Sequence, residues 1–328
     1  MTAPLKVVGI GNAIVDVISR ADDAFIETNA LNKGGMTLID ADQAEALYQK
    51  MGSGIEISGG SAANTMAGLA SFGSKGAFIG KVGSDQLGSV FAHDIRAIGV
   101  DFNSSPLTDA TPTARCLILV TPDAQRTMNT FLGACTELGP EDVDQKLVEN
   151  AQVTYMEGYL WDKPKAKEAF IKAADIAHGA GRKVSLTLSD SFCVDRHRES
   201  FRDLVNGHID VLFANENEIT SLYQVPTVEE ALGAVRQDCQ LAVVTRSEKG
   251  SVVVAGTETY QVEAASVDRV VDTTGAGDLY AAGFLHGLTE GLALPECARL
   301  GSLAAAEVIG HFGARPEIDL SKLVAKAA

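Results

Sequence analysis

The sequence lacks any run of roughly 18 apolar residues, the length that a membrane-spanning helix needs. Its first residues, Met1 to Val8, also lack the long apolar stretch and cleavage site of a signal peptide. Basic residues are scarce, since 27 Lys and Arg stand against 43 Asp and Glu, for a formal net charge of −16. Nucleic acids and acidic membranes are bound through an excess of basic residues, so we expect neither as a partner. These absences predict a cytoplasmic protein that acts on small molecules.

Cysteine and histidine are few and poorly spaced for disulfide or metal chemistry. The five cysteines are odd in number, widely separated and form no Cys-x-x-Cys pair. The six histidines show no metal-ligand spacing such as His-Glu-x-x-His. We therefore expect buried thiols in a reducing compartment and no zinc site. The cysteines are Cys116, Cys135, Cys193, Cys239 and Cys297.

Two common nucleotide-binding fingerprints are incomplete. Gly9-Ile10-Gly11 follows a β-like run, but the third glycine of Gly-x-Gly-x-x-Gly would fall at Ile14. Gly80-Lys81 resembles the end of a Walker A loop, but Lys75 replaces its first glycine and Val82 its Ser or Thr. Any nucleotide must therefore be bound in another way.

Short β-branched runs alternate with longer helical patterns, which is typical of parallel βαβ units covered on both faces. A hydrophobic content of 46% over 328 residues allows a large core. We predict an α/β fold with a doubly wound, mainly parallel sheet flanked by helices. The predicted strands are Lys6–Ile10, Ala77–Val82, Val153–Glu157, Lys183–Thr187, Val211–Ala214 and Leu241–Thr245. The predicted helices are Ala62–Phe72, Gln86–Ile98, Lys165–His178, Glu199–Val205, Val228–Gln237, Leu279–Glu290 and Glu296–Ile309.

Two segments, Ile14–Ile39 and Val100–Phe131, interrupt this alternation because they are mostly β-like. Alternating residues in Ala114–Thr121 and Arg126–Leu132, on either side of a Pro-Asp-Ala-Gln turn, predict a hairpin. We expect residues 12–39 and 100–131 to form a small separate sheet, and residues 1–11, 40–99 and 132–328 to form the large α/β domain.

The most informative stretch is the heptapeptide 272–278, Asp-Thr-Thr-Gly-Ala-Gly-Asp, directly before an apolar helical pattern. Its Gly275-Ala276-Gly277 turn would point backbone N–H groups at one spot, where an anion can bind. Asp278 would then lie in the first helical turn, placed to take a proton from a hydroxyl that attacks phosphorus. The helix dipole favours a carboxylate there, so we expect the pKa of Asp278 to stay low. The pattern indicates phosphoryl transfer to an alcohol.

This heptapeptide resembles the C-terminal motif of the PfkB (ribokinase-like) carbohydrate kinases. Ser58-Gly59-Gly60-Ser61-Ala62-Ala63-Asn64 resembles the family's N-terminal motif, and Asn215-Glu216-Asn217-Glu218 its Asn-x-x-Glu motif. The matches occur in the family's order along nearly the whole chain. The resemblance implies an ATP-dependent kinase of ribokinase-like fold, whose β-sheet lid covers the substrate site.

On the substrate side, Asn12 and Asp16 resemble the sugar-binding start of the adenosine kinase branch. Asp16 has two acceptor oxygens for vicinal hydroxyls, although an Asx turn would explain the same residues. Gly60 allows a close approach of the substrate, and Ser61 and Asn64 share one helix face. Ser61 is equally compatible with a plain N-cap.

The resemblance also implies phosphate, metal and lid residues. It places Arg126 over the transferring phosphate, and Asn215 and Glu218 around Mg²⁺ through water, although a capping box explains that pair equally well. It assigns Thr245 and Thr273, with Gly275 and Gly277, to the nucleotide phosphates, while Ser247 departs from the family's glycine. Some relatives also bind K⁺ near residues that match Asp272 and Thr274.

The sequence leaves the acceptor open between adenosine, which the adenosine kinase-like residues favour, and a free sugar such as ribose or fructose. Ile14, Met36, Leu132 and Leu160 are candidates for contacts with a base, as are Tyr159 and Trp161, and all of them are also candidates for the core. A catalytically silent ligand sensor of the same fold is a third reading, which the intact heptapeptide disfavours. The choice between monomer and homodimer also stays open.

Overall fold

A computed structural model describes residues 5–123 and 125–327. Residues 1–4, Ala124 and Ala328, which the predicted segments include, lie outside the described residues. The described strands are β1 (Val7–Ile10), β2 (Ile14–Arg20), β3 (Met36–Leu38), β4 (Gly54–Gly59), β5 (Gly76–Ile79), β6 (Val100–Phe102), β7 (Ala114–Val120), β8 (Arg126–Phe131), β9 (Val153–Glu157), β10 (Lys183–Thr187), β11 (Val211–Asn215), β12 (Leu241–Thr245), β13 (Ser251–Ala255) and β14 (Glu258–Val262).

The helices flank these strands or connect them. The described α-helices are α1 (Asp23–Thr28), α2 (Ala41–Tyr48), α3 (Ser61–Ser71), α4 (Gln86–Ala97), α5 (Gln145–Asn150), α6 (Pro164–Gly179), α7 (Ser191–His208), α8 (Glu216–Tyr223), α9 (Val228–Asp238), α10 (Ala276–Glu290), α11 (Leu294–Val308) and α12 (Val324–Ala327). No helix in the described ranges is long and apolar enough to cross a membrane.

The large sheet has nine strands in the order β14-β13-β12-β11-β10-β9-β1-β5-β6. From β12 to β6 every neighbouring pair is parallel, and the hairpin β13-β14 adds two antiparallel strands at one edge. The predicted doubly wound α/β fold is therefore confirmed, and all six predicted strands belong to this sheet. The hairpin was not predicted, although the apolar run Val252–Val254 and the turn at Gly256 are typical signals for one.

The core lies on both faces of the large sheet because successive side chains of a strand point to opposite faces. Tyr155 of β9 packs into one apolar cluster, which also contains side chains of α3, α10 and α11. Its neighbour Met156 packs into the other, which contains side chains of α6, α7 and α9. Such two-sided burial explains why these strands are apolar at nearly every position.

The second sheet has five strands in the order β3-β8-β7-β2-β4. It contains β2 and β3 from the first β-like segment and the hairpin β7-β8 from the second. Two strands fall on the other side of the predicted boundaries. β4 lies in the small sheet, since it pairs antiparallel with β2 over six residues. β6 lies in the large sheet, where Phe102 packs against Phe78 and Phe91.

Helices α2, α5 and α12 were not predicted, and two further elements also differ from the sequence-based expectation. The first β-like segment contains helix α1, whose N-cap Asp22 accepts a hydrogen bond from the Phe25 N–H at 2.8 Å. The predicted helix 199–205 is the second half of the longer helix α7, which bends at His197 (φ −128°). The first half of α7 was not predicted, although its buried residues Cys193 and Val194 lie seven or eight positions before the buried Phe201, on the same helix face.

The chain passes between the two sheets at adjacent points. One crossing is Gly11-Asn12-Ala13, between β1 and β2, and the other is Gly60, between β4 and α3. Gly60 has φ +101°, and a Cβ there would lie 2.2 Å from the Asn12 carbonyl oxygen. Only glycine fits at position 60 without displacing the backbone of the neighbouring crossing at Asn12.

We expect Gly60→Ala to destabilise the protein by about 1–3 kcal/mol more than Gly73→Ala, because it adds a steric clash to the unfavourable φ. Gly73 has φ +84°, but a Cβ there would meet nothing within 4 Å. Urea denaturation of both variants measures the difference. Equal losses would contradict the close packing of the two crossings.

Candidate active site

Helix α10 begins where the heptapeptide turns. Gly275 is its N-cap, with the left-handed φ of +80°, and a Cβ on Gly275 would lie 2.7 Å from the Ala314 Cα. A Cβ on Gly277, in contrast, would meet no described atom within 4 Å. Gly275 is thus required by the fold, whereas Gly277 leaves open space beside the helix N-terminus.

The N–H groups at this turn are only partly used by the protein. The Ala276 N–H donates to the Thr273 carbonyl at 3.2 Å, so one of the three predicted anion-binding N–H groups has an acceptor already. In the described part of the chain, the N–H groups of Gly275 and Gly277 have no hydrogen-bond acceptor. With the helix dipole, these two groups provide an anion-binding position. Thr273 lies exposed beside them.

Asp278 is held by the start of helix α3. Its Oδ1 accepts a hydrogen bond from Ser61 Oγ at 2.6 Å, and its Oδ2 accepts one from Asn64 Nδ2 at 3.1 Å. Ser61 and Asn64 do share a helix face, but in this structure that face contacts the carboxylate of Asp278.

The pKa of Asp278 is raised by burial to about 6, although the hydrogen bonds from Ser61 and Asn64 lower it. The predicted low pKa is therefore wrong. Removing the carboxylate from water disfavours its charged form by more than two hydrogen bonds and the helix N-terminus favour it. A proton acceptor with this pKa is ionised at neutral pH and is a stronger base than an ordinary aspartate.

Glu157 joins the two crossings between the sheets. It lies buried at the end of β9 and accepts hydrogen bonds from Asn12 Nδ2 at 2.6 Å, the Asn12 N–H at 3.3 Å and the Ala62 N–H at 2.9 Å. Burial raises the pKa of Glu157 to about 7. Asn12, a predicted substrate ligand, thus has its amide donor engaged by Glu157. Sequence reasoning missed Glu157, although an acid at the end of an apolar strand was a visible signal.

Asp16 lies on β2 close to the same point. Its carboxylate packs against Gly59, where a Cβ would lie 2.4 Å from Asp16 Oδ2. Burial raises the pKa of Asp16 to about 6, while the charges of Arg126 and Arg315 lower it and the charge of Asp278 raises it. These effects place Asp16, Asp278 and two arginines in one electrostatic environment.

Arg126 of β8 forms a short ion pair with Asp272, the first residue of the heptapeptide. The other Asp272 oxygen accepts bonds from the Thr274 N–H at 3.0 Å and from Thr274 Oγ1 at 2.7 Å. The small sheet thereby contacts the anion-binding turn through a charged pair. Among described residues, Arg126 Nε is buried without a hydrogen-bond partner.

Asn215 and Glu218 form the reciprocal capping box of α8. The Glu218 N–H donates to Asn215 Oδ1 at 2.9 Å, and Glu218 accepts from the Asn215 N–H at 2.9 Å and from Asn215 Nδ2 at 2.6 Å. The pKa of Glu218 is raised to about 7, mainly by burial and also by the charges of Asp190 and Asp278, although the hydrogen bond from the Asn215 N–H lowers it. The neighbouring Glu216, in contrast, is paired with Arg246 at 2.7 Å.

Thr245 ends strand β12, and its hydroxyl donates to the Ala214 carbonyl at 3.5 Å. Ser247 follows with φ +53°, the left-handed conformation that a glycine adopts at lower cost. The serine therefore keeps the local backbone geometry that glycine favours, at the cost of some strain.

The predicted base contacts separate into two groups. Leu160 and Trp161 are core residues, and the Trp161 ring stacks on Phe201. Ile14 and Leu132 are half-buried, and Met36 on edge strand β3 is 52% exposed. Tyr159 is partly exposed, and its pKa is raised by burial and by nearby acids that include Asp278. Leu160 and Trp161 thus contribute to the core, while the other four residues stay candidates for contacts with a base.

Free N–H groups at a helix N-terminus, a carboxylate in the first turn and an adjoining second sheet form an arrangement that suits phosphoryl transfer on an α/β fold. A family model for pfkB family carbohydrate kinases matches residues 35–320. The chain belongs to this family and is a phosphotransferase with an alcohol acceptor.

Individual relatives agree with this family membership. The chain is similar to the crystal structure of adenosine kinase from Sinorhizobium meliloti, with 55% identity, TM-score 0.91 and coverage of 99% of this chain and 100% of that chain. It is also similar to the structure of a probable sugar kinase from Rhizobium etli CFN 42, with 54% identity, TM-score 0.91 and coverage of 99% and 98%. Adenosine kinase from Saccharomyces cerevisiae is 28% identical, over 95% of this chain and 96% of the relative.

We expect Asp278→Asn to raise the melting temperature at pH 8. A raised carboxyl pKa means that the ionised form costs folding free energy, and that cost is present above about pH 6 and disappears below the unfolded value of 3.8. Asparagine retains partners in Asn64 Nδ2 and the Ser61 hydroxyl, which can also accept. Thermal melts from pH 8 to pH 5 measure the difference, which should shrink as pH falls. A variant less stable than the wild type at pH 8 would contradict the raised pKa.

Proposed function

We propose that this protein is an adenosine kinase, which transfers the γ-phosphoryl group of ATP to the primary hydroxyl of the ribose. The observation that carries the proposal is the Asp278 carboxylate, ionised at neutral pH, held by Ser61 and Asn64 beside the helix N-terminus. The similarity to the Sinorhizobium meliloti adenosine kinase supports adenosine as acceptor. The similarity to a probable sugar kinase at nearly the same identity makes a free sugar the second candidate.

Asp278 accepts the proton of the acceptor hydroxyl while the oxygen of that hydroxyl forms a bond to the γ-phosphorus and the bond to the ADP oxygen breaks. The N–H groups of Gly275 and Gly277 stabilise the negative charge on the phosphoryl oxygens. Ser61 and Asn64 hold the Asp278 carboxylate in place. Thr245 and Thr273 are proposed contacts of the nucleotide phosphates.

The small sheet supplies the substrate-facing residues of this proposal. Asp16 accepts hydrogen bonds from the two vicinal ribose hydroxyls, which requires its ionised form. Arg126, held next to the anion-binding turn by Asp272, has a spare Nε donor for phosphoryl oxygens. Arg126 also offsets the charge of Asp272, near which some relatives bind K⁺, and a K⁺ ion at this place stays a prediction.

The residues around Glu218 fit a magnesium ion held through water. Among described residues, no group of three or more His, Cys, Asp or Glu side chains is arranged to hold a metal, so water and substrate oxygens would complete the shell. Glu218, Asp190 and Asp278 form an acidic environment that a divalent cation would neutralise. Mg²⁺, when bound, supplies charge neutralisation for the nucleotide phosphates. The five free, buried cysteines support a reducing compartment, the cytoplasm.

We expect adenosine to be phosphorylated with the highest kcat/KM in a coupled ADP-release assay of adenosine, inosine, ribose and fructose. Asp278→Asn is the matched control and should lower kcat by about 10²-fold or more while binding ATP. Turnover of a free sugar alone would overturn the choice of adenosine. Near-normal turnover in Asp278→Asn would overturn the catalytic assignment.

We expect Glu218→Gln to raise the Mg²⁺ concentration for half-maximal activity by about 10-fold or more, because the buried negative charge is lost. Glutamine at this position preserves the capping box, so α8 keeps its N-terminus. Glu216→Gln is the control, since Arg246 already neutralises that carboxylate. Magnesium titrations at fixed ATP compare the variants, and an equal response of both would contradict the assignment.

A further inference from the structure

Arg315 enters the site from outside every predicted motif. It lies in the segment that follows α11, and its side chain is only 12% exposed. Ala314, the residue before it, packs against Gly275 of the anion-binding turn. A buried arginine at this place contributes an uncompensated desolvation cost unless it has partners or a role.

Two of the three guanidinium nitrogens have such partners. Arg315 Nε donates to Asn64 Oδ1 at 3.4 Å, and Arg315 Nη1 lies 3.5 Å from Asp94 Oδ2. Asp94 Oδ2 also accepts hydrogen bonds from the Ser58 N–H at 2.9 Å and from the Ser58 hydroxyl. Arg315 thereby connects α3 and α4 with the end of the edge strand β4.

The contact with Asn64 determines which way its amide faces. An asparagine side chain carries an acceptor oxygen and a donor nitrogen, whereas arginine can only donate. With Arg315 on one side, the oxygen must face the guanidinium, and the nitrogen therefore faces Asp278, to which it donates at 3.1 Å. A reversed amide would lose both hydrogen bonds.

Arg315 also contributes charge to the substrate side of the site. Its positive charge lowers the pKa of Asp16, together with Arg126 and against burial and Asp278. Arg315 Nη2 is buried and has no hydrogen-bond partner among the described residues. Burying an N–H donor without a partner costs free energy. A residue that only filled space between helices would not require such a donor.

We propose that Arg315 is a positioning residue of the kinase site, which orients the Asn64 amide towards Asp278 and supplies positive charge beside Asp16. The inference rests on the proposed function and adds to it a residue from the C-terminal segment. Arg315 acts through Asn64 and Asp16, and is not itself assigned a role in proton or phosphoryl transfer.

The test compares Arg315→Met, Arg315→Lys and the control Arg202→Met, whose arginine lies at the surface and pairs with Asp238 at 3.3 Å. The acceptor is the one that the wild type phosphorylates. We expect Arg315→Met to lower kcat/KM by roughly 10- to 100-fold, the size of a lost hydrogen bond to a charged group. Arg315→Lys should recover part of this loss because it retains the charge. Thermal melts confirm that the compared variants are folded.

The pH profile separates this role from a purely structural one. Asp16 is faced by Arg126 from β8, Cys116 from β7, Asp278 from α10 and Arg315. The negative charge of Asp278 in turn raises the pKa of Tyr155, Glu157, Tyr159 and Glu218, so these groups also face it. Since Arg315 favours ionised Asp16, its removal should move the acid limb of kcat/KM to higher pH in Arg315→Met, and less so in Arg315→Lys. The acid limb of the kcat/KM profile of Arg202→Met should coincide with that of the wild type.

A double-mutant cycle with Asn64→Ala tests the path through the amide. If Arg315 acts through Asn64, the double variant should lose less kcat than the product of the two single losses. Normal kcat/KM with an unmoved acid limb in folded Arg315→Met, or fully independent losses of kcat in the cycle, would overturn the role of Arg315 alone. A wild type that phosphorylates none of the acceptors would overturn the proposed function, and this inference with it.

Discussion

The half-buried carboxylate of Asp278 is the constraint around which the site is built. Its two oxygens are satisfied by Ser61 and Asn64, residues more than 200 positions earlier in the chain. A buried charge without such donors would be costly, so helices α3 and α10 must meet N-terminus to N-terminus. The small sheet adjoins this site, because its strand β4 ends at Gly59 and Gly60 connects it directly to α3. One hydrogen-bonded carboxylate thus locates the anion-binding turn, the substrate side and the crossing between the sheets.

The site concentrates acidic groups whose ionisation the protein does not favour. Burial raises the pKa of Asp16, Glu157, Glu218 and Asp278 to about 6 or 7. Two arginines offset part of this charge, Arg126 beside Asp272 and Arg315 beside Asp94. Such an arrangement is typical of functional sites, where stability is given up for groups that titrate near neutral pH. In the proposed reaction, a bound cation offsets the remaining negative charge, and the bound substrates supply further hydrogen-bond partners.

The six predicted strands of the large sheet and the helices of the βαβ units were predictable because their signal is local, whereas the hairpin β13-β14 was not predicted. An apolar strand such as Val153–Glu157 is buried on both faces, and its composition alone reveals this. The placement of β4 and β6 was not predictable, since each is decided by its partner, β2 in one case and β5 in the other. Likewise, the first half of α7 was not predicted, because only Cys193 and Val194 of that half are buried apolar residues.

In the site, motif residues were predictable as chemical types but their contacts were not. Asn12 proved to be bonded to Glu157, and Arg126 to Asp272. The pKa of Asp278 was predicted in the wrong direction, because a sequence shows the helix N-terminus but not the depth of burial. Glu157 and Arg315 carry no motif, so only their position in space reveals them.

By itself, the sequence determined the βαβ alternation, the left-handed glycine turn and the carboxylate in the first turn of α10, since these depend on residues that are near one another along the chain. Only the tertiary structure decided which side chains surround that carboxylate and how strongly burial shifts its pKa. Those properties depend on contacts between segments more than 200 residues apart, such as Asn64 with Asp278 and with Arg315. Desolvation is the physical reason, because it is set by everything packed around a group and by no single stretch of chain.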